Sequence, residues 1–352
     1  MKLFDVIETL VEERGLEKSV LEEIVKEGVL LAYQRKFPEL TLRIVFSDVK
    51  ETFVPEVEKD VVTTVEDEET EISVRKARGY AKNADAGDKV WIPFEGVIGR
   101  VEILKARQII AQRIKDVECA AIHDEFKSRE GEILQGVVHK IERTGVVVKI
   151  HDFLAFLPRS LSVPGEKLTV GYPVRALLKE VLLQPRNEHQ LVLDRVSPLF
   201  LQRLFDLEVP EIFEGLVEIK KIARKAGYKS KMIVVSKDSN IDAVGTCVGV
   251  AGARIKPILK ELGTEKIDVI AYTDSFEQLV QNSLKPAEIN KVEMSDDKKK
   301  ALVWLDDDQR SVAIGKMGQN IALASELVGC DIELVGYDSR SDVEQKFDEE
   351  ME

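Results

Sequence analysis

Hydrophobic residues recur along this chain in two rhythms, and the places where one gives way to the other divide it. Near the N-terminus Phe4, Ile7 and Val11 fall on one helical face, and Leu21, Ile24 and Val25 on another, the 3.6-residue spacing of amphipathic helices. The runs "LTLRIVF" and "DVVTTV" are strand-like, and "VEILKARQIIAQRIKDVECAAIHDEF" returns to helical spacing over one long run. Together they predict an α+β domain over residues 1–128 that leaves through a long exit helix. From Gly131 the period drops to two in "EILQGVVHKIERTGVVVKI", and "LAFLPRSL", "PVRALLKEV" and "HQLVLDR" follow at regular spacing between Gly and Pro turns. Short, evenly spaced strands predict a small closed β-barrel over residues 129–197. The next segment, "PLFLQRLFDLEVPEIFEGLVEIKKIARKAGYKSKMIVVS", predicts a helix, a Pro-bounded turn, a second amphipathic helix and a strand.

Beyond that point the pattern repeats. "VGVAGARI" from Val248 returns as "IGKMGQNI" from Ile314, and each copy is preceded by a short apolar helical turn, "IDAVGTCV" or "DDDQRSVA". Downstream of the first, Ile255, Ile258, Leu259 and Leu262 mark one helical face; Ile321, Ala324 and Val328 repeat the stripe after the second. Each helix leads into an alternating strand, "KIDVI" or "DIELV". The unit is helix, loop, helix, strand, with a period of about 66 residues. With 21 Gly in 352 residues, roughly one Gly-x-x-Gly arises by chance, and Gly96 to Gly99 is such a copy, a turn after the strand-like "VWIPF". Two copies in matching context are not accidental.

The loop has a chemical logic. Glycine lacks a Cβ, so a sugar-phosphate chain can lie against the backbone itself. The following helix aims unpaired N–H groups and the positive end of its dipole at the same place. Arg254 and Lys256 after the first loop, and Lys316 inside the second, add the side-chain charge that phosphate contacts use.

Composition complicates this reading. The chain carries 51 basic and 64 acidic residues, a net charge of -13, which opposes nonspecific binding to nucleic acid. The acid is concentrated in "VEDEETE", in "SDD" before Lys298 and in the tail "SDVEQKFDEEME", so the net charge is compatible with a local basic groove. The stretch from Lys220 to Lys231 holds Lys220, Lys221, Arg224, Lys225, Lys229 and Lys231 and no acid, and is the expected electrostatic footprint. In the barrel, Lys149, His151, Phe153, Phe156 and Arg159 are candidates for a single-strand groove, with barrel core and solvated strand ends as the alternative. Arg100 and Arg107 lie two turns apart on the exit helix, and Arg35 and Lys36 end an earlier one; solvated surface is the simpler reading of such clusters. Cys119, Cys247 and Cys330 sit in apolar surroundings, and the four histidines show no ligand spacing, so neither disulfide nor metal is expected. Without a run of about 18 apolar residues or a signal peptide, a cytoplasmic protein away from membranes is expected.

Four stretches now carry a resemblance: "RLFDLEVPEIFEGLVEIKKIAR", "VGTCVGVAGARI", "EKIDVI" and "SVAIGKMGQNIALASEL". They resemble the NusA family of bacterial transcription factors, and the resemblance runs in order over almost the whole chain. It implies a multidomain α+β protein: an N-terminal RNA polymerase-binding domain (1–128), a five-stranded S1/OB-type barrel (129–197), and two tandem prokaryotic-type (type II) KH domains, KH1 (198–275) and KH2 (276–345). An acidic tail (346–352) would follow. It further implies a monomeric, cytoplasmic elongation factor without catalytic activity or cofactor. Such a factor docks on core RNA polymerase near the RNA exit channel and modulates pausing, termination and antitermination. S1, KH1 and KH2 would form one surface for nascent single-stranded RNA, with other Nus-type factors as further partners. The family's loop positions fall on Gly249, Val250, Ala251, Gly252, Ala253 and Arg254, and on Gly315, Lys316, Met317, Gly318, Gln319 and Asn320. Its polymerase-side basic positions fall on Arg100 and Arg107.

Departures are visible too. Val250 and Ala251 stand where the first loop often carries a basic residue, Ala322 replaces a frequent Arg, and "TGVVVKI" lacks the aromatic that many S1 domains stack on RNA. The tail from Ser341, with six acids and one lysine, is a candidate competitor of RNA for the basic KH1 surface, or a solubilising extension. Two other functions compete with this one. An RNA-processing nuclease needs metal-binding acids or phosphate-handling residues that 1–128 do not offer, and a KH/S1 protein of ribosome assembly would sediment with ribosomal subunits.

Overall fold

The computed structural model describes residues 17–47, 52–186, 189–295 and 299–336. The helical stripe expected on Phe4, Ile7 and Val11, the two acids Asp296 and Asp297 before Lys298 and the acidic tail from Ser341 lie outside them. The contacts divide the chain into two units, Met1–Asp124 and Glu125–Glu352.

In the first unit, α1 (Lys18–Lys36) buries Leu21, Ile24, Val25 and Ala32. Leu21 and Val25 pack with Phe53, Ile110 and Ile114. Strand β2 (Thr52–Val62) is central: it pairs antiparallel with β1 (Leu42–Ser47) and β4 (Lys89–Pro93), and parallel with the short β3 (Glu71–Ser73). After the single turn α2 (Val74–Ala77), the long α3 (Arg100–Lys127) begins just past Gly99.

In the second unit five strands pair in a closed cycle: β5 (Ile133–Ile141), β6 (Gly145–Ile150), β7 (Phe153–Pro158), β9 (His189–Asp194), β8 (Pro173–Arg186) and back to β5. The inside is filled by Val148, Ala155, Leu157, Leu178 and Leu193, each almost fully buried. Then the same succession of elements occurs twice. The first copy is α4 (Pro198–Glu208), a single turn α5 (Pro210–Phe213), β10 (Val217–Lys225), β11 (Lys229–Ser236), α6 (Ala243–Val248), α7 (Ile255–Leu262) and β12 (Lys266–Ala271). The second is α8 (Phe276–Ser283), β13 (Lys291–Met294), β14 (Lys300–Leu305), α9 (Asp307–Ile314), α10 (Gln319–Val328) and β15 (Asp331–Gly336). Both sheets place the middle strand antiparallel to the first and parallel to the third. The helix–loop–helix–strand repeat of the sequence is therefore the second half of a larger repeat that opens with a helix and a hairpin.

Local chemistry explains the helix starts. Ser197 accepts from the Phe200 N–H with Pro198 in the first turn, Asp242 accepts from Val244, and Ser275 from Gln278. The core of the first repeat joins Phe200, Leu201, Leu204 and Phe205 of α4 to Ile255, Ile258 and Leu262 of α7 across Met232 and Val234 of β11. Alternate residues of β11 face the other way, so Ile233 packs with Leu323 and Leu327 of α10. With both faces covered, β11 reads as a continuous apolar run.

Three polar knots hold this unit, the first and third of them between domains. Arg195, 1% exposed at its side chain, pairs with Glu166 of the barrel and with Glu261 of α7. Arg224, wholly buried, pairs with Glu265, which also accepts from Ser230 and the Gly227 N–H. Both guanidiniums lie over the Phe200 ring, at 5.1 and 5.6 Å from its centroid. In the third knot, Asp268 pairs with Lys229 and Lys231, and Lys229 also donates to Asn320 of α10.

Two expectations are corrected here. Residues 217–225 are a strand, not the second amphipathic helix. A bulge between Ile219 and Lys221 shifts the register, so the apolar residues Ile219 and Ile222 stand three apart and imitate helical spacing. The run from Lys220 to Lys231 is also less basic than it reads, because Arg224, Lys229 and Lys231 are committed to Glu265 and Asp268. Burial pushes the Lys231 ammonium below its usual range, and Asp268 only partly restores it.

Candidate nucleic-acid interface

The two Gly-x-x-Gly loops adopt one backbone conformation. The first glycines, Gly249 and Gly315, have φ/ψ of 74/166° and 71/176°. The third positions, Ala251 and Met317, are left-handed at 52/26° and 56/29°. The last glycines, Gly252 and Gly318, have φ of 76° and 70°. A non-glycine residue in the left-handed region costs about 1 kcal/mol, so holding Ala251 and Met317 there twice marks a shape imposed by the surrounding fold. The loop tips stand clear of the protein, with Val250 91% and Met317 86% exposed. Helix α10 starts immediately after its loop and α7 two residues beyond its own, and both offer their first N–H groups there.

The loops differ in charge. Lys316 is exposed and enters no ion pair among the described residues, and Lys256 is exposed on α7. Arg254 is already engaged: it donates to the Thr246 carbonyl at 3.0 Å and pairs with Glu211 at 2.8 Å. The Glu211 carboxyl is held below the usual range, first by its own backbone N–H and then by Arg254. Arg254 thus ties α5 to the first loop. Asn320 is turned inward and 5% exposed; it donates to the carbonyls of Leu284 and Ala313 at 3.2 and 3.1 Å and accepts from Lys229 at 3.1 Å. It braces the second loop from behind. Ala253, two residues ahead of α7, is exposed, and Gln319, the first residue of α10, is half-buried.

On the barrel, cross-strand pairing puts Lys149 opposite Leu154 and Val147 opposite Phe156, so these share one face. The inward residues are Val148 and Ala155, which places Phe156 on the outer face, stacked on His189 with ring centroids 5.6 Å apart. His151 is exposed at the β6–β7 turn with φ 52°. Arg159 lies at the opposite end of β7, lining a cavity of about 870 Å³. The Phe156 ring also reaches Gly145, which lines that cavity together with Arg159, whereas His151 lies at the other end of the β6–β7 pair. Phe153 packs edge-on against Phe126 at 5.1 Å.

In the N-terminal unit Arg35, Lys36, Arg100 and Arg107 are all exposed. Lys36 donates to the Val97 carbonyl, bringing the end of α1 to the start of α3. Around them Val97, Val101 and Leu104 are 75%, 58% and 64% exposed. Their spacing was legible in the sequence, but nothing there shows that this stripe stays uncovered. Among the described residues no His, Cys, Asp or Glu cluster fits a metal ion, and no helix is long and apolar enough to cross a membrane.

Comparison with known proteins agrees with this layout. Family models match as NusA N-terminal domain over residues 2–120, NusA-like first KH domain over 195–272 and NusA-like second KH domain over 276–342. The transcription termination/antitermination protein NusA of Thermus thermophilus is 37% identical over 344 residues, covering 93% of this chain and 88% of that protein. Those of Bacillus subtilis and Halalkalibacterium halodurans are each 33% identical over 335 residues, covering 95% of this chain and 90% and 87% of theirs. The chain belongs to the NusA family of transcription termination/antitermination proteins.

Proposed function

We propose that this protein binds RNA polymerase through residues 1–128 and nascent single-stranded RNA through the barrel (129–197) and the two KH domains (198–275 and 276–345), and thereby tunes pausing, termination and antitermination. The observation that carries the RNA half is the pair of loops in one strained backbone shape, each opening onto a helix N-terminus. Gly249 to Gly252 and Gly315 to Gly318 hold the sugar-phosphate chain, Lys256 and Lys316 supply charge, and Arg254 and Asn320 keep the loops in shape. Lys149, His151, Phe156 and Arg159 extend the surface onto the barrel. The observation behind the polymerase half is the exposed stripe of Val97, Val101 and Leu104 beside Arg35, Lys36, Arg100 and Arg107, apolar contacts ringed by charge of the kind protein interfaces use. The protein acts by binding, with no catalytic step.

Two variants of the full chain separate these halves. Gly315→Asp with Gly318→Asp abolishes retention of single-stranded RNA and leaves core polymerase retention intact; Arg100→Glu with Arg107→Glu does the reverse. Equal loss of both ligands in either variant contradicts the division of labour, and sedimentation with ribosomal subunits instead of polymerase contradicts the function.

A further inference from the structure

The second loop does not stand alone. Beside it lies a cavity of about 250 Å³ whose other walls come from the β10–β11 turn of the first KH domain and from a barrel loop. Lys316, Met317 and Gln319 face Lys225 and Tyr228 of the turn and Pro164 of the barrel. The volume is below the ~300–1,000 Å³ of small-molecule sites. No acid lines it, and neither Lys225 nor Lys316 enters an ion pair among the described residues. This contrasts with Arg224, Lys229 and Lys231 close by in sequence, all neutralised. At the margin of the cavity the Gln319 Oε1 is buried and without a hydrogen-bond partner among the described residues, an arrangement that costs free energy unless a ligand completes it.

We propose that this cavity is a single-nucleotide pocket, in which the first KH domain and the barrel complete the grip of the second KH loop on RNA. The inference rests on the RNA-binding reading above and adds residues outside both loops to it. Tyr228 is the stacking platform, since any base offers a π-face to an aromatic ring. Lys225 and Lys316 neutralise the phosphates on either side of the nucleotide. The Gln319 amide oxygen, once its side chain turns toward the cavity, accepts from a donor on the base edge, an exocyclic amine of adenine, cytosine or guanine or the ring N–H of guanine or uracil. The turn can reach the loop because Lys229, at its foot, is tied to Asn320, at the start of α10.

The test is fluorescence anisotropy of the full chain with a labelled single-stranded RNA 12-mer over a salt series. Tyr228→Ala lowers affinity about tenfold or more, and Tyr228→Phe restores it. Lys225→Glu, at an exposed turn position, flattens the log-log salt dependence by at least about 0.7. Gln319→Leu lowers affinity for the same 12-mer. If Tyr228→Ala loses fold as judged by its melting curve, Lys225→Glu decides alone. Wild-type affinity and salt dependence in Lys225→Glu and Tyr228→Ala overturn the pocket. The Gly315→Asp, Gly318→Asp variant distinguishes the two levels: if it loses RNA while those variants do not, only the pocket falls, and if it too binds normally, the RNA-binding reading falls with it.

Discussion

The two glycines of the second loop should fail in different ways when each is replaced by alanine. Gly315 sits at φ 71°, ψ 176°, a region essentially closed to side chains, where strain costs about 1–3 kcal/mol. A Cβ there would also stand 2.7 Å from the Asn320 Cβ and 3.2 Å from its backbone nitrogen, and relieving such overpacking costs about 1–3 kcal/mol more. Gly318, at φ 70°, ψ 11°, is in the ordinary left-handed region, and a Cβ on it meets nothing within 4 Å; its cost is about 1 kcal/mol. Gly315→Ala should therefore be about 1–5 kcal/mol less stable than Gly318→Ala, a difference of roughly 1 M in urea midpoint. Trp304, buried in β14 of the same domain, reports the transition once Trp91 is replaced by Phe. The space beside Gly318 is where an RNA backbone would approach, so Gly318→Ala should lower RNA affinity while nearly keeping stability. Equal midpoints for the two variants, or a Gly318→Ala less stable than Gly315→Ala, would refute the reasoning.

Three further outcomes follow from the same geometry. Glu265→Gln leaves the buried Arg224 without its counter-charge and should cost about 3–5 kcal/mol in chemical denaturation. Burial alone raises the Glu265 carboxyl, but Arg224, Ser230 and the Gly227 N–H outweigh it and hold it below its usual range. Its contribution is therefore present above about pH 4.3, the ordinary Glu value, and is lost as pH falls through the lower folded-state value, so denaturation midpoints of the wild type should drop on acidification more steeply than those of Glu265→Gln. Lys316→Ala should flatten the log-log salt dependence of RNA binding by about 0.7, and Arg254→Ala should flatten it less because that guanidinium already serves Glu211. Burial pushes the Cys247 thiol up to about 12, and maleimide should not label it in the native protein at neutral pH.

Much of this architecture was legible in the chain. The apolar stripe of Ile255, Ile258 and Leu262, the paired loops and the period-two barrel strands each report a local rule, and local rules survive folding. What failed were features set by partners distant in sequence or by a local irregularity. The bulge in β10 turned a strand into apparent helical spacing at Ile219 and Ile222. The basic run from Lys220 lost half its charge to Glu265 and Asp268, acids in the next strand region, as with Arg224 and Glu265, 41 residues apart. Helix α10 uses Leu323 and Leu327 against the first KH domain as well as Ala324 against its own core, and only the stripe through Ala324 was evident from spacing. Asn320, placed at the loop by the family resemblance, makes three hydrogen bonds that all point into the protein, which spacing does not show.

The most direct test of the central claim is equilibrium binding of the full chain to a single-stranded RNA 12-mer between low and physiological salt, in the wild type and in Gly315→Asp, Gly318→Asp. The account predicts binding by the wild type with a log-log slope near -0.7 for each phosphate neutralised, a preference over duplex of the same sequence, and loss of binding in the variant. Salt-independent binding, indifference to strandedness or an unimpaired variant would contradict it.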